Sequence, residues 1–340
     1  MKISFGKIER IIILGGSWIT AALLRQLAEQ KVEVILYTSP RHYNEVVDND
    51  GNTLKQVTGL TGVSSVVCED INNDRSIGNA VTEKTLGLAI GAAWLFQPKT
   101  AALFNGRLLD FMGIALPQYR GGAHYTWQIL AGNKTGACNL QIIHGGESTF
   151  HKGEIIKRRD YFFPASARKP KDYFSAAIKE ELDFLKKFFD EIFGGQEFTT
   201  MTLQESFSSY YPFINTLKHG WIDWSWNVNE LDRFICAFDD PYAGASTYLG
   251  GTRVFLKGCQ AEPSEPDFHP FHAGLIYRCT PSGLIIAARG GALLVRQIFN
   301  KEGIDITKNV VEGQRLTTPR EELDSAMAFD ATYGAEGLQN

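Results

Sequence analysis

The sequence lacks any uninterrupted apolar run of the roughly eighteen residues that a membrane-spanning helix requires. Its first residues lead into a strand pattern rather than into the regions of a signal peptide. Apolar residues make up 44% of the chain and charged residues 21%, which is the balance of an ordinary globular protein. We therefore expect a cytoplasmic protein without a membrane partner.

Cysteine is scarce, and its pattern is not that of a disulfide framework or a zinc site. The chain has 5 cysteines, an odd number, with no C-x-x-C pair among them. They are Cys68, Cys138, Cys236, Cys259 and Cys279. His269 and His272 have a spacing compatible with a metal pair, but no cluster of further ligand residues surrounds them. We expect reduced thiols, most of them buried, and no bound metal.

The chain also has no excess of positive charge. Its formal net charge is −4, whereas a nucleic-acid-binding protein normally presents a basic domain. The segment from Trp221 to Arg320 contains 10 Lys and Arg residues against 11 Asp and Glu residues. This balance is ill suited to holding phosphate groups, and we expect no nucleic-acid partner.

A β-α-β pattern opens the chain, but the fingerprint of a dinucleotide site is incomplete. An apolar run from Ile8 to Leu14 leads into Gly15-Gly16-Ser17, a helical pattern from Trp18 to Gln30, and a second apolar run from Val32 to Tyr37. The third glycine of the G-x-G-x-x-G motif is missing, and the second strand does not end in an acidic residue. Of the two interpretations, an NAD site and a tight turn without a ligand, these features favour the turn.

The remaining patterns predict an α/β fold with two domains, which the length of 340 residues allows. Alternating strand and helix patterns predict a Rossmann-like N-terminal domain with a mostly parallel sheet, in which residues 40–61 form a loop. Short strands after Thr247 predict a small, OB-like C-terminal β-barrel. The predicted boundaries are 1–198 for the α/β domain, 199–245 for a linker and connecting helix, 246–325 for the barrel and 326–340 for the tail.

Two stretches of this α/β pattern have the character of a ligand site. An apolar segment from Leu108 to Leu116 runs into a loop with two glycines, as expected where a buried strand ends and a helix follows. Ligands of open α/β sheets bind at such strand ends. A second strand ends at Gly91 before Trp94, where small residues would let a planar ligand approach the backbone, although packing against the tryptophan explains them equally well.

The loop from Leu116 to Gly122, LPQYRGG, resembles the loop after the catalytic strand of the formyltransferases that use 10-formyltetrahydrofolate. Other motifs of that family follow in the family's order along most of the chain. They are Gly153-Glu154-Ile155, Ile222-Asp223-Trp224 and Asp240-Pro241-Tyr242-Ala243-Gly244-Ala245. Each motif is weak alone, and their order carries the resemblance. The last two, with a short barrel, are most similar to formyltransferases that act on nucleotide-linked amino sugars.

The resemblance implies a donor, an acceptor and a set of binding residues. The donor is 10-formyltetrahydrofolate, and the acceptor is an amine of a small molecule such as a nucleotide-linked amino sugar. The implied or candidate binding residues are Gly91, Trp94, Leu116, Pro117, Tyr119, Arg120, Gly121, His124 and Glu147. Glu147 is also a candidate acceptor for a hydrogen bond donated by His144. Relatives with a barrel often pair, so a homodimer is the expected assembly.

The chain departs from the family at all three catalytic positions. Asp110, Met112 and His151 stand where the family has asparagine, histidine and aspartate. Formyl transfer needs donors for an oxyanion and a group that moves protons. A thioether such as that of Met112 neither donates a hydrogen bond nor titrates. Asp110 would be a poor oxyanion donor unless its carboxyl were protonated.

Three hypotheses follow from this departure. In the first, the chain is still a formyltransferase, with His151 as the acid or base and Asp110 orienting it. In the second, Asp110 and His151 only fill an inherited pocket, and the protein is a pseudoenzyme that binds a ligand or a protein. In the third, His151 and water hydrolyse a formyl group.

Overall fold

The computed structural model describes residues 2–146, 152–262, 264–334 and 337–338. In chain order the strands are β1 (Lys2–Ile3), β2 (Arg10–Gly15), β3 (Glu33–Thr38), β4 (Ser64–Val67), β5 (Thr85–Ile90), β6 (Leu108–Met112), β7 (Arg120–Gly121), β8 (Thr135–Ile142), β9 (Ile155–Phe162), β10 (Phe198–Thr199), β11 (Tyr210–Tyr211), β12 (Ala245–Leu249), β13 (Thr252–Glu262), β14 (Ile276–Thr280), β15 (Gly283–Ala288), β16 (Gly291–Phe299), β17 (Leu316–Thr317), β18 (Tyr333–Gly334) and β19 (Gly337–Leu338). The α-helices are α1 (Trp18–Ala28), α2 (Pro40–Asn44), α3 (Leu54–Thr61), α4 (Arg75–Ala80), α5 (Pro98–Leu103), α6 (His124–Leu130), α7 (Pro170–Phe193), α8 (Thr216–His219), α9 (Val228–Ala237) and α10 (Arg320–Ala328).

The N-terminal half is built on a seven-stranded sheet in the order β4-β3-β2-β5-β6-β8-β9. The first five strands in this order are parallel, and β8 and β9 continue the sheet in antiparallel orientation. Strand β2 is buried along almost its whole length, as expected for a central parallel strand covered on both faces. This arrangement confirms the predicted α/β class with a mostly parallel sheet.

The prediction of a loop over residues 40–61 is wrong, because two helices form there. The Ser39 side chain caps α2 by accepting a hydrogen bond from the backbone N–H of His42, and Pro40 takes the first helical turn. Helix α3 begins with a capping box between Thr53 and Gln56. The polar composition of the segment concealed these caps. Helix α4 ends at Ala80, and the chain is extended at Val81.

Helix α7 covers the face of the sheet opposite the cleft described below. Its apolar side includes Phe184, Leu185 and Phe188, all buried in the main hydrophobic core. The ring of Phe184 lies 6.1 Å from that of Phe111 on β6. Because side chains alternate along a strand, Asp110 and Met112 lie on the other face. No helix in the described ranges is long and apolar enough to cross a membrane.

The C-terminal half is a curled antiparallel sheet of six strands in the order β14-β15-β16-β13-β12-β17. Helix α9 begins at a capping box formed by Asn227 and Glu230 and packs against β13. An ion network joins the two halves, because the Asp240 carboxylate accepts hydrogen bonds from Lys169 at 2.6 Å and from Lys257 at 2.8 Å. The sequence predicts a small OB-like β-barrel here; the structure shows a curled antiparallel sheet, and the OB-like barrel stays a prediction.

The segment between the two halves is packed against the loop that follows β6. Strand β11 pairs with β7 in parallel, with Tyr210 opposite Arg120 and Tyr211 opposite Gly121. A short 3₁₀ helix, Glu205–Phe207, precedes it. The sequence predicts that this segment is a linker, whereas in the structure it forms part of the wall around the strand ends.

Candidate functional site

A cleft of about 320 Å³ opens at the carboxyl end of β5 and β6, beside the end of β8. Its position agrees with the general location of ligand sites in open α/β sheets. The lining residues come from five parts of the chain: Gly91 to Phe96 after β5, Asp110 and Met112 on β6, Gly121, Gln141 to Gly146 along and after β8, and Phe213. The lining is mostly apolar, as is usual for small-molecule pockets.

Five of the predicted site residues line this cleft together. They are Gly91, Trp94, Asp110, Met112 and Gly121. Trp94 is fixed at its indole N–H, which donates to the carbonyl of Glu69 at 2.7 Å. The loop after β5 is joined to the loop after β8 by a bond of 2.7 Å from the N–H of Gly146 to the carbonyl of Phe96. These contacts hold one wall of the cleft in place.

Asp110 is the carboxylate of the cleft. It stands opposite Gln141 in the pairing of β6 with β8, so both side chains project from the same face of the sheet. The Gln141 amide donates to the carbonyl of Gly153 at 2.7 Å, which fixes its orientation. Burial raises the pKa of Asp110 from 3.8 to about 7. At neutral pH this carboxyl can therefore either donate or accept a proton.

Met112 lines the cleft on the same strand as Asp110. It is half-buried and packs against an apolar cluster that contains Ile114, Leu116 and Ile155. Strand β8 holds the turn below it, because the Asn139 amide donates to the carbonyls of Met112 and Ile114. The Met112 side chain adds apolar surface to the cleft and no group that moves protons.

The structure places four predicted binding residues of the loop outside the cleft lining. Leu116 and Pro117 are buried, and the peptide bond between them is cis. Tyr119 stacks on Tyr211 with ring centroids 5.2 Å apart. Arg120 is buried and binds both carboxylate oxygens of Glu205, at 2.6 and 2.8 Å. In this position the Arg120 guanidinium anchors the segment before β11.

The double glycine after Arg120 admits this segment of the chain. Gly121 has a φ of +109°, and a methyl group on it would lie 1.8 Å from the carbonyl oxygen of Tyr211. A methyl group on Gly122 would lie 2.3 Å from the ring of Phe213. Only glycine can accept such close approach of a neighbouring backbone and ring. As a result, Phe213 is held at the cleft.

His124 begins α6 next to this double glycine, but it does not line the cleft. Burial lowers its pKa to about 4, so the imidazole is neutral at physiological pH. Its Nδ1 atom is buried and has no hydrogen-bond partner among the residues that the structure describes. The remaining two predicted residues, Glu147 and His151, lie outside the described residues. His144, the predicted partner of Glu147, is bonded to the Glu154 carboxylate at 2.7 Å.

The turn between β2 and α1, which the sequence analysis weighed as an NAD site, is filled by protein side chains. A methyl group on Gly16 would lie 2.5 Å from the Cβ atom of His42 and 3.1 Å from Leu54. These residues belong to α2 and α3, the two helices that the sequence did not reveal. The second glycine of the turn thus serves close packing of His42.

Gln141 and Phe213 line the cleft without having been predicted. For Gln141 a signal exists in the sequence, because Asn139 and Gln141 are amides two residues apart in an apolar strand and must face the same way. Phe213 carries no local signal. Its position depends on the pairing of β11 with β7, which lies about ninety residues earlier in the chain.

A second buried carboxyl, that of Glu181 on α7, lies behind the strand end. It is 6% exposed, and a methyl group on Gly113 would lie 2.0 Å from its Oε1 atom. Burial raises the pKa of Glu181 from 4.5 to about 7. This group does not line the cleft, so its effect should be on stability.

We expect Glu181→Gln to change how stability depends on pH. The folded wild type holds the Glu181 proton more tightly than the unfolded chain does. The contribution of this carboxyl to the free energy of unfolding is therefore fully present below about pH 4.5 and is lost as the pH rises through about 7. As the pH rises from 4.5 to 8, the unfolding free energy of the variant minus that of the wild type should increase by about 2–3 kcal/mol. Urea unfolding at several pH values measures this difference. Asp190→Asn, at an exposed site on the same helix, is the control and should have the same pH dependence as the wild type. If unfolding free energy changes with pH in the same way for all three proteins, the expectation is contradicted.

Comparison with known proteins identifies the C-terminal half and the overall fold. Residues 216–311 match the family described as formyl transferase, C-terminal domain. The methionyl-tRNA formyltransferase of Desulfotalea psychrophila is 26% identical over 198 residues, which are 56% of this chain and 56% of that protein. The first curated relatives are thus matched over less than two thirds of their length. The methionyl-tRNA formyltransferase of Marinobacter nauticus is 22% identical over 326 residues, 93% of this chain and 100% of that protein.

Solved structures share the fold at low sequence identity. The N-formyltransferase of Helicobacter canadensis, in complex with folinic acid and dTDP-3-aminofucose, has a TM-score of 0.64 at 15% identity, covering 86% of this chain and 100% of that one. The sugar 3N-formyl transferase WlaRD, in the presence of dTDP and 5-N-formyl-THF, has a TM-score of 0.60 at 16% identity, covering 86% and 98%. With the matched C-terminal domain and the curated relatives, these likenesses lead to one conclusion: residues 216–311 match the formyl transferase C-terminal domain, and the chain is similar to formyltransferases over most of its length.

Proposed function

We propose that this protein transfers a formyl group from a reduced folate donor, 10-formyltetrahydrofolate, to the amine of a small molecule. The observation that carries the proposal is the position of Asp110 at the strand ends, in a mostly apolar cleft that raises its pKa to about 7. A general acid–base group works best when its pKa lies near the working pH. The formyltransferases to which the chain is similar give the reaction class.

The proposed step needs one proton to move between two nitrogen atoms. The amine nitrogen forms a bond to the formyl carbon, and the bond from that carbon to the donor nitrogen breaks. Asp110, ionised at the start, takes the proton from the attacking nitrogen and returns it to the departing one, so the carboxylate is regenerated. Met112 contributes no proton, and the neighbouring Gln141 offers an amide on the same face.

The cleft fits a donor of this kind. Its volume of about 320 Å³ is at the lower end of the range for small-molecule sites, so a single planar ring system can enter while the rest of the molecule stays outside. Trp94 and Phe96 provide apolar surface for such a ring. A folate supplies the activated formyl group, and these residues would hold its ring beside Asp110.

A second function is supported by the packing of Met112. The apolar cluster of Met112 with Ile114, Leu116 and Ile155 gives the cleft the character of a binding pocket rather than of an acid–base site. A pseudoenzyme that binds a folate or a similar ligand without turnover would use the same residues. The two functions differ in whether Asp110 acts on a bound amine.

Calorimetric titration with 5-formyltetrahydrofolate, a stable analogue of the donor, tests the proposal first. We expect micromolar binding, followed by formylation of an amine when 10-formyltetrahydrofolate is supplied. Trp94→Ala should weaken binding at least tenfold, since an aromatic contact and its buried surface are lost. Binding without turnover for every amine supports the second function, and absence of binding at millimolar ligand overturns the folate site altogether.

A further inference from the structure

We infer that Gln141 is a catalytic residue of the proposed transfer, in which its side-chain N–H donates a hydrogen bond to the formyl oxygen as negative charge develops there. The inference deepens the proposed function and rests on it. Formyl transfer sets two tasks, movement of a proton and stabilisation of the oxygen. Asp110 is proposed for the first task, and Gln141 is assigned to the second.

The formyl oxygen needs a neutral hydrogen-bond donor. As the amine nitrogen forms its bond to the formyl carbon, an electron pair of the C=O bond moves to the oxygen, and it returns when the bond to the folate nitrogen breaks. No proton has to reach the oxygen, so a hydrogen bond is sufficient. An ionised Asp110 would repel this charge, and the thioether of Met112 has no hydrogen to donate.

Gln141 lies directly beside the proposed base. It stands opposite Asp110 in the antiparallel pairing of β6 with β8, and both residues line the cleft. Side chains of directly opposed residues on one face begin about 5 Å apart. The nitrogen that loses a proton and the oxygen that gains charge are bound to the same carbon in this reaction. The two protein groups that serve them must therefore be neighbours, as this strand pairing makes them.

The amide of Gln141 is buried, and its orientation is fixed. Gln141 is 2% exposed, and its Nε2 atom donates to the carbonyl of Gly153 at 2.7 Å. A carbonyl can only accept, so the nitrogen of the amide rather than its oxygen must face Gly153. An amide nitrogen carries two hydrogens, and this bond uses one of them. Among the described residues the nitrogen makes this bond alone, so its second hydrogen can serve a ligand in the cleft.

The glycine at position 153 allows its carbonyl to reach this amide. A methyl group on Gly153 would lie 1.8 Å from the carbonyl oxygen of Ile142 and 3.2 Å from the Cγ atom of Gln141. A residue with a side chain could not approach β8 so closely. Gln141 is therefore held in place before any ligand enters. Stabilisation of an oxyanion is most effective with such an oriented donor, because little reorganisation is needed during the reaction.

Trp94 has the other side-chain N–H among the described lining residues. An indole has a single hydrogen to donate, and that of Trp94 is bonded to the carbonyl of Glu69 at 2.7 Å. Within the described lining, Gln141 is thus the side chain with a hydrogen to offer to the formyl oxygen.

Gln141→Met tests this role, because methionine is unbranched like glutamine but has no hydrogen to donate. The assay supplies 10-formyltetrahydrofolate and a panel of primary amines that includes dTDP-3-aminofucose. We expect kcat to fall about 10²- to 10³-fold, the usual cost of one oxyanion donor. The Kd of 10-formyl-5,8-dideazafolate, a stable donor analogue with its formyl group on the corresponding nitrogen, should change by less than about fivefold, because the hydrogen bond strengthens only as charge develops. Retained binding also shows that the variant is folded.

Gln128→Met is the matched control. Gln128 is 3% exposed, and its amide likewise donates to a backbone carbonyl, that of Thr135, at 2.8 Å. It does not line the cleft. The control therefore loses the same kind of buried bond, and its kcat should stay within about threefold of the wild type.

The infrared spectrum of the bound analogue separates failure of this inference from failure of the proposed function. A hydrogen bond to the formyl oxygen weakens the C=O bond, so the stretching band of an isotope-labelled formyl group should lie at lower wavenumber in the wild type and in Gln128→Met than in Gln141→Met. A purely structural role of Gln141 would not move this band.

Each outcome decides between the two proposals. The expected band difference without turnover of any amine supports the contact of Gln141 and overturns the formyl transfer. An unchanged kcat in Gln141→Met, or one band position in all three proteins, overturns the role of Gln141 while the transfer stands wherever the wild type is active. If the analogue does not bind to the wild type, the folate site and the role of Gln141 are overturned together.

Discussion

Asp110→Asn is expected to lower the rate of formyl transfer by about 10²- to 10⁴-fold, the usual contribution of a positioned acid–base group. The asparagine side chain has the same shape and can donate a hydrogen bond, but it cannot take the proton from the attacking nitrogen. Donor binding should change much less, because the ring-binding surface of Trp94 and Phe96 is untouched. The measurements are kcat/KM for the formylated amine and the Kd of 5-formyltetrahydrofolate on the same preparations.

The pH profile gives this prediction a second readout. As a base, Asp110 is active when ionised, so kcat/KM of the wild type should rise with pH through a midpoint near 7, following the pKa of the carboxyl. The profile of Asp110→Asn should lack this step. An amine acceptor also loses a proton at higher pH, and the comparison of the two proteins on one amine cancels that contribution.

Glu181→Gln is the matched control for Asp110→Asn. Both substitutions replace a carboxyl whose pKa is raised to about 7 by its surroundings, but only Asp110 lines the cleft. We expect the Glu181 variant to keep its turnover within about threefold of the wild type, because the proton transfer does not pass through this group. Equal losses in the two variants would show that activity depends on buried charge in general, and would remove Asp110 from its proposed role.

The sequence predicts the cleft where local patterns determine it. Gly91 and Asp110 each lie at or near the carboxyl end of a parallel strand, and such ends meet at one edge of the sheet. Hydrophobic runs reveal these strands because buried parallel strands are apolar along their length. The general place of the site therefore follows from the order of strands and helices alone.

Contacts between distant segments account for the residues that sequence reasoning placed wrongly or missed. Arg120 has the residue type of a ligand-binding cation, yet its partner is Glu205, 85 residues away. Phe213 comes to the cleft through the pairing of β11 with β7. The sequence contains no local pattern for either contact, because short parallel pairings depend on how the whole chain packs. The Ser39 cap and the capping box of Thr53 and Gln56, by contrast, were present in the sequence and were outweighed by the polar composition of residues 40–61.

The same packing explains why a loop typical of the family need not have the family's chemistry. The Leu-Pro-x-Tyr-Arg-Gly motif positions Tyr119 against Tyr211 and Arg120 against Glu205. Neither contact is made through the side chains at positions 110 and 112. A motif that serves to build the wall thus indicates the fold and the position of the cleft, whereas the reaction depends on the side chains inside it.

Gly121→Ala tests this wall directly, and we expect about a hundredfold loss of kcat/KM together with a loss of about 3 kcal/mol in unfolding free energy. The alanine methyl group would lie 1.8 Å from the carbonyl oxygen of Tyr211, so the segment from Tyr210 to Phe213 must move away. Displacement by about 1 Å near reacting groups can cost on the order of 10²-fold, and overpacking with backbone strain costs about 1–3 kcal/mol. Urea unfolding and steady-state kinetics measure the two effects.

Gly313→Ala provides the control for the backbone conformation. Gly313 has a φ of +88°, similar in kind to the +109° of Gly121, but no atom lies within 4 Å of a methyl group placed there. This variant should lose about 1 kcal/mol from the strained φ alone and keep its activity. Limited proteolysis should then cleave the segment around Tyr210 faster in Gly121→Ala than in the control. If the two variants have the same stability and activity, the contact between Gly121 and Tyr211 is not what holds Phe213 at the cleft.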